Sequence, residues 1–126
     1  MDPVALLKWL HILCMVGTIG VLLAAQACCS PDHRNTPAAS RTTARLANIL
    51  LGIGLLAGFA YYFLTDGMTR GAHYNGVIGM KFVFLLGAGA LIGISKRTDR
   101  GDSLRWIAFG LLVSASLFGV TLTAVP

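Results

Sequence analysis

Acidic residues are scarce in this chain. Glutamate is absent, and the five acids are all aspartate. Asp, Glu, Lys and Arg together make up 12% of the 126 residues, about half the share in an average soluble domain, whereas apolar residues make up 56%. A chain this small has a large surface relative to its volume and cannot hide so much apolar surface from water. The composition therefore excludes a small soluble enzyme, a disulfide-stapled secreted module and a disordered chain.

Uninterrupted apolar segments account for most of the sequence. Four of them, residues 4–27, 46–65, 74–95 and 104–125, each come close to the ~20 residues that cross ~30 Å of hydrocarbon as a helix. The connections at residues 28–43, 65–67 and 96–103 carry Pro, Gly, Asp and Ser, which favour turns. In the second connection, Gly67 is a candidate helix C-cap. The pattern predicts one all-α transmembrane domain over residues 1–126, built as a four-helix bundle that contacts the lipid bilayer.

Positive charge is distributed unevenly between the two sides of this predicted bundle. The formal net charge is +5, but the basic residues lie in short connections and at segment ends, where they set membrane topology rather than bind nucleic acid. One side holds Arg34, Arg41, Arg45, Lys96, Arg97, Arg100 and Arg105, and the other holds Lys8 and Arg70. The positive-inside rule then predicts both termini on the outer, periplasmic or lumenal, side. The location that we expect is a bacterial inner membrane.

Small residues recur at the spacing that lets transmembrane helices approach closely. Gly54 and Gly58 form a GxxxG motif in the second segment, and Gly89 and Gly93 form another in the third. Packing inside the bundle is the favoured interpretation of both motifs. Self-association, or docking on other membrane subunits through these faces, is the alternative.

Two ionisable side chains lie deep within the apolar segments. Each costs at least ~2.5 kcal/mol at the centre of a membrane helix, so such a residue usually has a partner or a function. His11 lies about 12 Å inside the first segment, counted from Pro3, and Lys81 lies about 10 Å inside the third, counted from Tyr74. Both are counted from the same predicted side. We therefore expect His11 and Lys81 to face one cavity that opens toward the outer leaflet.

Several chemistries fit this pair of residues. His11 with Cys14 and Met15 one turn later forms a soft donor set that suits Cu(I). A neutral His11 imidazole also suits a haem iron as axial ligand, with Met15, Lys81 or His73 as candidates for the second axial position. Structural roles remain open as well: Lys81 could extend to the membrane surface, and His11 could bind a backbone carbonyl. The absence of acids inside every segment argues against a proton relay or cation channel built on carboxylates.

Short motifs in three of the four segments resemble those of a known group of small membrane proteins. They are Leu7-Lys8-Trp9-Leu10-His11-Ile12-Leu13 followed by Gly17 and Gly20, Ala44-Arg45-Leu46 before the second segment, and His73 followed by Met80-Lys81-Phe82. In these features the chain resembles the superfamily of HemJ-type protoporphyrinogen oxidases and CopD-type copper-resistance proteins. The resemblance implies a four-helix membrane fold, with a helix-one His and a helix-three Lys tied to haem binding and activity. By position these residues are His11 and Lys81.

Three functions therefore remain in view at the level of sequence. The first is a membrane redox protein associated with haem b or a related tetrapyrrole, held through His11 and Lys81. The second is a non-catalytic accessory subunit of a larger respiratory or photosynthetic complex. The third is copper handling. Whether the protein is an enzyme stays open at this stage.

Overall fold

A computed structural model of the chain describes residues 2–95 and 101–124. Four long helices and one short one follow each other: α1 (Pro3–Cys28), α2 (Pro31–Arg34), α3 (Pro37–Leu64), α4 (Ala72–Ser95) and α5 (Gly101–Ala124). A 3₁₀ turn, Gly67–Thr69, lies between α3 and α4. No strand occurs within the described ranges, so the prediction of an all-helical chain is confirmed there. Residues 96–100 of the predicted third connection lie outside the described part.

Three of the helices have the length and composition to cross a membrane. They are α1, α3 and α4, with 26, 28 and 24 residues. At 1.5 Å per residue the shortest spans about 36 Å, more than the ~30 Å hydrocarbon layer. Many of their large apolar side chains point outward, including Leu13 at 62% and Leu56 at 72% exposure. Such a surface requires lipid around it, and the membrane prediction is supported for these three helices.

Capping residues fix where α1 and α3 begin. The Asp2 carboxylate accepts a hydrogen bond from the Val4 amide at 3.2 Å, and Pro3 occupies the first helical turn. Thr36 caps α3 in the same way through the Ala39 amide at 3.4 Å, with Pro37 in the first turn. Because proline is favoured at this position, α3 starts well before residue 46, and the predicted start of the second helix is wrong.

The α3–α4 turn uses a different residue from the one expected. Asp66 adopts the left-handed conformation, with φ of 53°, in place of the predicted Gly67. An Asp side chain tolerates this region better than most. Gly67 is needed for a different reason: it is buried against the ring of Tyr62, where a Cβ atom would collide with the aromatic carbons. The Tyr62 hydroxyl in turn donates a hydrogen bond to the Asn75 side chain and ties α3 to α4.

Neighbouring helices run antiparallel around the bundle. α1 packs mainly against α3 and also against α5, while α4 packs mainly against α5 and also against α3. α1 and α4 therefore occupy opposite corners. We name the two ends of the bundle after their most informative residues: the Arg105 end, where α3 and α5 begin, and the His11 end, where α1 and α4 begin.

Among the side chains that the structure describes, the buried core lies in the half of the bundle toward the Arg105 end. Leu22, Leu51, Ile92 and Leu112 lie in it with at most 2% exposure. By contrast, no residue is buried in the first stretch of α1 up to residue 13, in α3 from residue 58 onward, or in α4 up to residue 84. Dense packing thus stops just below the level of His11 and Lys81, and the His11 end is more open in its described residues.

Both GxxxG motifs face other helices of the same chain. A Cβ at Gly54 would collide with the Met15 side chain, and one at Gly58 would lie 2.8 Å from the His11 imidazole. On the other motif, Gly89 lies against Leu51 of α3. The interpretation as internal packing faces agrees with this arrangement. Self-association through these two faces does not agree with it, because helices of the same chain already pack on both motifs.

Candidate functional site

The His11 imidazole is held against the backbone of α3. Its Nδ1 lies 2.7 Å from the carbonyl oxygen of Gly54, so the Nδ1–H group donates to that oxygen. A helical carbonyl has a second lone pair and can accept this bond in addition to its own helix bond. The ring reaches α3 only because Gly58, one turn further along, has no side chain. The His11 imidazole therefore packs directly on the Gly54–Gly58 motif of α3.

Lys81 completes the arrangement from the opposite corner of the bundle. Its Nζ lies 3.3 Å from Nε2 of His11. Since Nδ1 carries the proton that binds Gly54, Nε2 presents its lone pair, and the lysine donates to it. The structure thus brings together the two residues that depth counting places at one level, and it defines the imidazole tautomer.

The Lys81 ammonium group has no carboxylate partner among the described residues. No ion pair joins Lys81 to a carboxylate among the described residues; the two ion pairs there both involve Asp102, which lies in the first turn of α5. Phe59 and Phe82, next to Gly58 and Lys81 in the chain, pack against each other with ring centroids 4.2 Å apart and planes tilted by 56°, and they join α3 to α4. The site therefore combines a lone-pair donor, a cationic donor and aromatic surface, a combination that suits a ligand with both aromatic and anionic parts.

The other predicted ligands lie elsewhere. Met15 is buried, with its methyl group against Gly54, so it belongs to the core below the pair. His73 is exposed in the first turn of α4, about 12 Å along the helix axis from Lys81. In the described part of the chain no group of three His, Cys, Asp or Glu side chains could hold a metal ion. Of the candidate set, the structure unites only His11 and Lys81.

Adding a methyl group at Gly58 tests how the imidazole is held. In Gly58→Ala the new Cβ would lie 2.8 Å from Nδ1 of His11, so the ring must leave the Gly54 carbonyl. We expect a loss of about 1–3 kcal/mol in the free energy of unfolding, measured by thermal unfolding in detergent. Gly52→Ala is the matched control, because a Cβ there meets nothing within 4 Å. It should leave stability unchanged or raise it by up to ~1 kcal/mol. Equal effects of the two variants would contradict this packing.

A second polar group lies at the other end of the bundle and was not expected from the sequence. Arg105 lies near the start of α5, as its position at a segment end predicts, but its side chain turns inward and is 1% exposed. Its Nε donates to Gln26 at 2.8 Å, one terminal nitrogen donates to Ser40 at 2.8 Å, and the other donates to Asn35. Every nitrogen of the guanidinium group has a partner, which is the condition for burying it.

Asp102 links this guanidinium to the rest of the polar group. Its carboxylate accepts bonds from Gln26 at 2.8 Å and from Arg34 at 2.7 and 3.1 Å. Arg34 also donates to the backbone carbonyl of Gln26 at 2.8 Å. We call this set the Arg105 cluster: Gln26, Arg34, Asn35, Ser40, Asp102 and Arg105. It joins α1, α2, α3 and α5, and it closes the end of the bundle opposite to His11.

Acidification should weaken the Arg105 cluster. The hydrogen bonds from Arg34 lower the pKa of Asp102. The hydrogen bond from Gln26 and the positive charges of Arg34 and Arg105 lower it further, whereas partial desolvation raises it. A carboxyl whose pKa is lower in the folded state stabilises the fold above its unfolded pKa, and this contribution is lost as the pH falls below about 4. Thermal unfolding of the wild type should show this loss, and Asp102→Asn should lack it. Asp32→Asn, at an exposed position in α2, is the control. A wild-type acid profile retained in Asp102→Asn would contradict the assignment.

We compared the chain with known proteins and found no relative. No family model, no curated protein and no solved structure matches the chain.

Proposed function

We propose that this protein is a small integral membrane protein that binds haem b or a related tetrapyrrole at His11 and Lys81 and serves in redox chemistry. The observation that supports the proposal best is the hydrogen bonding of His11. Nδ1–H is held by the Gly54 carbonyl and Nε2 keeps a lone pair. An imidazole held through one nitrogen by a backbone carbonyl is the form that serves as a metal ligand through the other.

The residues present fit such a group. His11 would offer Nε2 to the iron, and Lys81, which now donates to that nitrogen, would turn to a carboxylate of the ligand. Lysine has a flexible stem and lies where the described helices pack least densely, so this change needs no movement of the core. When bound, the tetrapyrrole would supply the redox step. The protein would contribute the ligand, the neutralising charge and the exclusion of water by lipid.

The same roles follow from the resemblance to HemJ-type proteins. There a helix-one His and a helix-three Lys are tied to haem binding, and this chain presents both residues on α1 and α4. The proposal includes α5 as a fourth crossing. It also places both termini on the outer side of a bacterial inner membrane, supported by the excess of Lys and Arg in the first and third connections.

A second candidate function rests on different residues. Gly20, Gly52 and Gly110 are exposed, and a Cβ at any of them would meet nothing within 4 Å. Outward glycines of this kind allow a neighbouring transmembrane helix to approach closely. They favour an accessory subunit of a larger membrane complex, with a docking surface distinct from the two GxxxG faces. Copper handling has less support, because Met15 of its proposed donor set lies in the core.

Mild purification separates the two functions. The protein is extracted from its own membranes in a non-denaturing detergent, and its absorption spectrum and apparent mass are recorded together. A Soret band on a small particle is the expected result. A colourless protein that co-migrates with large redox subunits would contradict the haem proposal and favour the accessory role.

A further inference from the structure

A groove lies on the outer face of α3 near the Arg105 end. It has a volume of about 380 Å³ and is lined by Ala38, Arg41, Thr42, Arg45 and Leu46. These residues recur every three or four positions, so they form one face of the helix. The groove lies outside the Arg105 cluster and far along α3 from Gly54, where His11 binds.

Two guanidinium groups in this groove have no acidic partner in the part of the chain that the structure describes. Arg41 and Arg45 are both exposed and lie one helical turn apart, and neither forms an ion pair among the described residues. Nε of Arg41 donates to the carbonyl of Pro37 at 3.3 Å, which directs the side chain along the helix. Arg34 and Arg105, by contrast, are both paired with Asp102. Two neighbouring cations that no described carboxylate pairs with favour an anionic ligand from outside the chain.

The same face of α3 becomes apolar directly beyond the arginines. Leu46, Ile49 and Ile53 follow on it, with exposures of 49, 52 and 42%. A ligand that contacts the whole stripe must carry a negative group at one end and a long apolar chain at the other. Membrane phospholipids have this arrangement, with the phosphate at the level where the hydrocarbon layer begins.

We propose that Arg41 and Arg45 form a binding site for an anionic phospholipid. The phosphate lies between the two guanidinium groups within reach of the Thr42 hydroxyl, and one acyl chain follows Leu46, Ile49 and Ile53. A zwitterionic headgroup carries an ammonium group that the arginines repel, so the site prefers a lipid with net negative charge. This inference does not depend on the proposed binding of a tetrapyrrole.

Native mass spectrometry of the full chain tests this site. The purified protein is mixed in detergent with phosphatidylglycerol or with phosphatidylcholine of the same acyl chains, and the retained lipid is counted. The wild type should retain phosphatidylglycerol preferentially. Replacing each arginine, in Arg41→Ala and Arg45→Ala, should lower that retention about fivefold. Both side chains are exposed, and circular dichroism should show unchanged helix content.

Arg70→Ala is the matched control. Arg70 is also exposed but lies at the other end of the bundle, stacked on the ring of Tyr74 at 5.1 Å. Its replacement should leave lipid retention unchanged. An equal loss in Arg70→Ala, or equal retention of the two lipids by the wild type, would overturn the proposal. Binding of inorganic phosphate by the wild type as tight as its retention of phosphatidylglycerol would show that the acyl chains contribute nothing, and it would overturn the phospholipid assignment as well.

Discussion

Replacing Arg105 with alanine is expected to destabilise the protein by about 3 kcal/mol. The side chain is 1% exposed, and its removal leaves the acceptor oxygens of Gln26 and Ser40 without a donor. Each unsatisfied buried group costs about 1–3 kcal/mol, and the volume of the lost side chain adds a cavity. The midpoint of thermal unfolding in detergent should therefore fall clearly.

Arg41→Ala provides the comparison for this variant. Arg41 lies at the same end of the bundle and carries the same charge, but it is exposed. Its replacement should change the free energy of unfolding by no more than about 0.5 kcal/mol. If Arg105→Ala destabilised no more than Arg41→Ala, the cluster would not hold this end of the bundle together.

Replacing Lys81 with methionine is expected to have the largest effect on ligand binding. The proposed role of Lys81 is to neutralise a carboxylate of a tetrapyrrole, and truncating one partner of a desolvated charge pair costs about 2–5 kcal/mol, or about 30-fold or more in affinity. Methionine keeps the length and apolar stem of lysine, so the loss reports the charge. Affinity for a porphyrin with free carboxylates is measured by fluorescence titration.

Two controls make this prediction specific. The dimethyl ester of the same porphyrin has no carboxylate, so Lys81→Met should bind it as the wild type does. Lys8→Met removes an exposed lysine from α1 three residues before His11 and should bind both porphyrins normally. A loss of affinity for the ester as large as the loss for the free acid would contradict the carboxylate role of Lys81.

The meeting of His11 and Lys81 could be anticipated because it depends only on local quantities. Each residue interrupts an apolar segment, and its depth follows from 1.5 Å of rise per residue. Their side of the bundle follows from the alternation of connections. The Gly54 carbonyl as partner of Nδ1 was one of several acceptors that the sequence left open, since helix rotation decides which backbone atom faces the ring.

The Arg105 cluster could not be anticipated in this way. Its members come from four helices and from the turn before α3, and Gln26 and Arg105 are 79 positions apart in the chain. A charge near the start of a membrane helix has the same sequence pattern whether it faces lipid headgroups or turns inward. Only the tertiary arrangement, with Ser40 and Gln26 facing the same point, distinguishes the two cases.

Local signals explain the remaining differences. Thr36 followed by Pro37 is a recognisable helix start, and it could have placed the beginning of α3 correctly. Hydropathy conceals it, because the first turns of α3 carry Ser40, Arg41 and Arg45 outside the apolar segment. Asp66 and Gly67 compete for the left-handed position, and contact with Tyr62 decides which residue takes it.

Titration of the purified protein with haem tests the central claim most directly. The absorption spectrum is followed for the wild type, for His11→Ala and for His33→Ala, in which an exposed histidine of α2 is lost. A saturable Soret band in the wild type and in His33→Ala, absent or shifted in His11→Ala, is the expected result. A Soret band of equal position and affinity in His11→Ala, or no saturable binding by the wild type, would contradict His11 as the haem ligand.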